Sequence, residues 1–108
     1  MRINPAVRVG IGLAFLTSPV FAQSASPSLG EKIAKTQCVA CHQITPDVPA
    51  ENQKSGAPGF VDVARMPSTT ELSIKVFLRS SHRSMPNFIL SPEETDSIAA
   101  YIVSLTKK

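Results

Sequence analysis

The two cysteines of this chain stand three residues apart, in Cys38-Val39-Ala40-Cys41, and His42 follows at once. There is no third cysteine in the 108 residues. A pair so close in sequence cannot staple distant parts of a fold, which removes a disulfide framework as the source of stability. Yet a chain of this length makes only one small domain. Its aromatic content is also thin, with no Trp, one Tyr and five Phe. Domains of this kind often take support from a metal or cofactor.

The CxxCH spacing presents two thiols to one face of a single turn of chain. A haem carries two vinyl groups at a matching separation, so two thioether bonds would fix the ring. His42, next in sequence, is placed to donate a ring nitrogen to the iron. The segment is a known signal for covalent haem attachment. Three other readings compete. A thioredoxin-like dithiol asks for a βαβ pattern, which is missing here. A zinc site would have to draw on His42 and His82 with no second cysteine pair. A local disulfide is the third.

The first residues do not belong to the domain. Arg2 and Arg8 open the chain, Val7 to Leu16 is apolar apart from Arg8, and Pro19 then leads to Val20-Phe21-Ala22. This is the layout of a secretory signal peptide cleaved after Ala22. The apolar stretch is shorter than the ~20 residues of a spanning helix. The expected domain is therefore 23–108, and the expected location is outside the cytoplasm, in the periplasm. Losing Arg2 and Arg8 leaves nine of the 11 basic residues against all 8 acidic ones. With no basic run and no aromatic stripe beside one, nothing points to nucleic acid. Lys32, Lys35, Lys54, Arg79 and Arg83 read first as solvated surface charge, and second as part of a docking surface.

The rest reads as all-α. Leu29 to Val39 is helical, with Ser28 as N-cap and Glu31 completing a capping box. Gly30, Ala34 and Cys38 form a row of small residues that another helix can approach closely. Gln43 to Gly59, rich in Pro, Gly, Asp, Asn and Ser, is a long loop that should have a task, such as wrapping a cofactor. Ser68-Thr69-Thr70-Glu71 is a second capping box and starts a helix through about Arg79. Ser80 to Leu90 is a loop. Ser91 caps a final helix with Pro92 at its first position and Glu94 closing the box. Ile98, Tyr101, Ile102 and Leu105 make an apolar stripe along it.

A histidine on one side of an iron leaves the other side open. Met66, Met85 and His82 are the candidates to fill it. A Met/His pair is the ligation of electron transfer. Both methionines precede proline, so position decides: Met85 lies in a loop between two helices, far enough past His42 for the chain to wrap the ring. Met66 reads as a packing residue and His82 as a surface histidine.

Together, Cys38 to His42, Met85-Pro86 with Phe88, and the Ser91-to-Leu105 helix resemble the class I c-type cytochromes. The likeness covers essentially the whole chain after the leader. It implies a small cytochrome c fold of three to four helices, with the first and last crossing at Gly30 and Tyr101. Where that family usually has an aromatic between the glycine and the first cysteine, Ala34 stands here. The likeness also implies that the Pro58 carbonyl turns toward His42. The implied function is a periplasmic one-electron carrier with one haem c, ligated by His42 and Met85, meeting reductase or dehydrogenase donors and oxidase or reductase acceptors. Membrane contact is expected only if the leader is retained. An electron-transfer subunit of a larger dehydrogenase or oxidase, and a haem enzyme or sensor with a labile sixth ligand, are the alternatives.

Overall fold

The final helix, α4 (Pro92–Ser104), is the element on which the others are built. Its start is fixed by chemistry local to the chain. Ser91 accepts from the Glu94 amide, and the Glu94 carboxylate accepts in return from the Ser91 amide at 2.8 Å. Pro92, lacking an amide hydrogen, sits where none is needed. Thr95, Ser97, Ile98, Ala99, Tyr101 and Ile102 are buried along α4, and Leu105 packs at the edge of the same core.

This computed structural model describes residues 25–80 and 84–107. The expected leader at 1–22, its cleavage after Ala22, and His82 lie outside the described residues. Among the described residues β pairing is confined to isolated bridges, one between Thr45 and Val48 and one at Met85, in agreement with an all-α fold. No helix among them is long and apolar enough to cross a membrane.

Helix α1 (Pro27–Ile33) is capped two residues earlier than expected. Ser26, not Ser28, accepts from the Leu29 amide, with Pro27 in the first turn. The device is the Ser-Pro pair that also opens α4. The Ser26 amide donates to the Ser97 hydroxyl at 3.1 Å and so joins the two ends of the domain. α1 lies across α4 at Gly30. A methyl group on Gly30 would stand 2.0 Å from the Ser97 carbonyl oxygen and 2.8 Å from Tyr101 Cβ. Only a hydrogen fits there.

The helix does not continue as α. Ala34–Cys38 is a π-helical turn, in which the Val39 amide donates to the Ala34 carbonyl at 3.0 Å. Thr36 donates its hydroxyl to the Ile33 carbonyl at 3.0 Å, a local bond of the sort that perturbs α geometry. An α-helix advances about 40° beyond a full circle every four residues. The wider π turn takes that advance back, and Gly30, Ala34 and Cys38 all end up buried.

α2 (Phe60–Arg65) follows the long loop and buries Phe60. α3 (Glu71–Leu78) is capped by Thr70, with Ser73 returning the bond to the Thr70 amide, rather than by Ser68 and Glu71. Ile74 is buried and Leu78 partly buried against the core. Lys75 pairs with Asp96 of α4 at 3.1 Å.

Candidate functional site

The π turn hands the chain directly to the CxxCH segment. The Cys38 carbonyl accepts from both the Cys41 amide (3.1 Å) and the His42 amide (2.9 Å). This tight turn brings two sulfur atoms and an imidazole out of five consecutive residues. Both thiols are free; Cys38 is buried and Cys41 half-buried. Burial pushes the Cys38 thiol from 9.0 up to about 11, so it is protonated at neutral pH.

The loop expected to wrap a cofactor grips the attachment segment itself. The Glu51 amide donates to the Val39 carbonyl at 2.8 Å and the Asn52 amide to the Ala40 carbonyl at 3.0 Å. The Ser55 hydroxyl donates to the Cys41 carbonyl at 2.6 Å. The Phe60 amide donates to the Gln43 carbonyl at 2.9 Å. Backbone groups that a helix would have satisfied internally are thus satisfied by the loop. Ile44, wholly buried, anchors its beginning.

His42 Nδ1 lies 2.8 Å from the Pro58 carbonyl oxygen. A carbonyl can only accept, so Nδ1 carries the proton and Nε2 keeps its lone pair. Such an outer bond fixes both the tautomer and the direction of a ligand imidazole. The Phe60 ring stands 5.2 Å from the His42 ring, tilted by 50°, and limits its rotation. Phe60, Ser55 and the amides of Glu51 and Asn52 were not predicted from sequence. The one available signal was Phe60, an aromatic two residues after Pro58.

The sequence-predicted residues thus fall on two segments. Cys38, Cys41, His42 and Pro58 are brought together. Met85 lies on the segment between α3 and α4 and is half-buried. Met66 caps α2 and is 47% exposed. Leu72, Val76 and Phe77 on α3, and Phe88 and Ile89 after Met85, are also exposed. Among the described residues no three of His, Cys, Asp and Glu converge on a metal-sized site.

Comparison with known proteins bears on the same residues. Residues 25–102 match the family model described as cytochrome c oxidase, cbb3-type, subunit III. Cytochrome c-552 of Bradyrhizobium diazoefficiens is 36% identical over 93 residues, covering 86% of this chain and 88% of that protein. The chain belongs to the class I c-type cytochromes. No solved structure matches it.

Membership makes this cytochrome a haem-based electron carrier with covalently bound haem c, and it implies redox partner proteins. The residues of this site fit that group. Two unpaired thiols offer the thioether sulfurs, and one imidazole is held with its outer nitrogen protonated and its inner lone pair free. The Gly30 crossing holds with Ala34 in place of an aromatic, because Ala34 is fully buried in the close approach of α1 to α4.

Proposed function

We propose that the chain is an exported one-electron carrier, with residues 1–22 as its signal peptide and 23–108 as a monohaem domain working in the periplasm. Cys38 and Cys41 would hold the haem, and His42 and Met85 would ligate its iron. The observation that carries the reading is the bond from His42 Nδ1 to the Pro58 carbonyl, which leaves Nε2 as the only ring nitrogen able to ligate. The haem supplies a one-electron iron couple. The protein's part is to keep the iron's surroundings the same in both oxidation states. Pro58 and Phe60 restrain His42, and Pro86 stiffens the chain after Met85. With two protein ligands there is no open position for a substrate, which separates this carrier from a haem enzyme or sensor. Docking with donor and acceptor is brief and small in area, as in other redox encounters.

Optical spectra of the purified holoprotein test the ligands. The oxidised protein should show a weak sulfur–iron band, and the reduced protein should not take up carbon monoxide. Met85→Ala should lower the midpoint potential and open the site to carbon monoxide. If Met66→Ala does this instead, the sixth ligand is Met66. The family model's description favours a second reading, a tightly held electron-transfer subunit of a larger oxidase. Co-purification of the chain with an oxidase in fixed stoichiometry would select it.

A further inference from the structure

We infer that Ser55 is a positioning residue for the His42 imidazole, acting through one hydroxyl shared by both sides of the His42–Pro58 bond. The inference rests on His42 being the iron's ligand. Ser55 Oγ donates to the carbonyl of Cys41, the residue before His42, at 2.6 Å. The same oxygen accepts from the amide of Ala57, the residue before Pro58, at 3.2 Å. The imidazole and the carbonyl that orients it are therefore each one residue away from a single fixed atom. The step between them turns at Gly56, whose φ of 71° lies in the left-handed region. A methyl group there would meet nothing within 4 Å, so Gly56 is required by conformation and not by space.

Without the hydroxyl, the Cys41 carbonyl and the Ala57 amide have to find water separately, and nothing sets the distance between their neighbours. The Nδ1–H bond then lengthens or is shared with solvent. A ligand imidazole with a weaker outer bond is a poorer donor and stabilises ferric iron less, so the midpoint potential rises.

The test uses the reduced holoprotein and three variants: Ser55→Ala, Ser55→Thr and Gly56→Ala. The readouts are the hydrogen-exchange rate of His42 Nδ1–H by NMR and the midpoint potential. Ser55→Ala should speed exchange by about tenfold, the scale of one hydrogen bond, and raise the potential. Ser55→Thr, which keeps the hydroxyl, should restore both. Gly56→Ala should move both in the direction of Ser55→Ala by straining the turn with the hydroxyl in place. A Ser55→Ala protein that melts earlier but keeps wild-type exchange and potential overturns the inference, because Ser55 would then be a stabilising residue only. The ring protons of wild-type His42 separate the two levels. If they lack the ring-current shift of an axial ligand, both the ligation and the inference fall. If they have it and Ser55→Ala changes nothing, the inference alone falls.

Discussion

The two sides of the expected haem site are built in different ways. On the His42 side the polypeptide does the ordering: residues 51–60 bond to the carbonyls of 39–43, and Pro58 and Phe60 hold the imidazole. On the Met85 side, Phe88 is 38% exposed and Ile89 wholly so, and the nearest capped structure is the start of α4. One ligand sits in a bracket made of backbone hydrogen bonds. The other sits on a segment whose apolar side chains face outward. The histidine is thus oriented by hydrogen bonds from a loop folded back on its own segment, while the segment after Met85 leaves Phe88 and Ile89 for an apolar group to cover.

The largest effect comes from removing the shared foundation. A Cys38→Ala, Cys41→Ala double variant should lose covalent haem altogether, measured as the mass of the denatured protein. Amides of 87–90 should then lose more hydrogen-exchange protection than those of Glu51, Asn52 and Phe60. Equal losses would break the contrast between the two sides.

Gly30→Ala should come next. Its methyl group meets backbone atoms of α4, so the crossing has to open. Overpacking at the top of the usual range, about 3 kcal/mol, is offset by about 1 kcal/mol of helix propensity. The net loss of about 2 kcal/mol should lower the midpoint of thermal unfolding by roughly 10 °C. No shift would mean that α1 is not seated on Ser97.

A matched pair sharpens the comparison directly. Ile44→Ala empties a fully buried position in the loop on the His42 side and should cost about 3 kcal/mol in denaturant unfolding. Ile89→Ala, on the Met85 side, should leave the unfolding midpoint where it was, since Ile89 is 102% exposed. A large loss from Ile89→Ala would show that this segment is packed by the holoprotein.

A small, pH-dependent effect belongs to Tyr101. Its hydroxyl is buried and has no hydrogen-bond partner among the described residues. Desolvation, and then the Glu31 carboxylate, hold it above the ordinary 10.0. The folded state therefore keeps this proton more tightly than the unfolded chain does. The contribution to stability is complete below about pH 10 and is lost as pH rises beyond it. Tyr101→Phe should change stability by less than about 1 kcal/mol at neutral pH and flatten its alkaline decline. An unchanged alkaline decline would assign that decline to another group.

What could be read from the chain alone follows the range of the interactions. The cap of α4 was legible to the residue because Ser91, Pro92 and Glu94 act within one turn. The cap of α1 was placed two residues late: Glu31 made Ser28 look like half of a box, while the Ser26-Pro27 pair lacked its acidic partner. The cap of α3 moved from Ser68 to Thr70 because a serine, not a glutamate, closes that box. The π turn at Ala34–Cys38 carried no pattern of its own. Cys38, Cys41 and His42 were legible as a motif because their chemistry depends on adjacency. Ser55 was not, because its role depends on where a loop folds back, and nothing in a run of Pro, Gly, Asn and Ser fixes that.

The bonds around Cys41 also bear on how much chain has to be ordered to aim the histidine. The contact between His42 and Pro58 closes 16 residues of chain, and that between Ser26 and Ser97 closes 71. Loop-closure entropy separates the two by about 1.3 kcal/mol. Closing the histidine's bracket thus costs less chain entropy than bringing the two chain ends together. The histidine can therefore be aimed by its own stretch of chain, without calling on the distant end that seats Gly30.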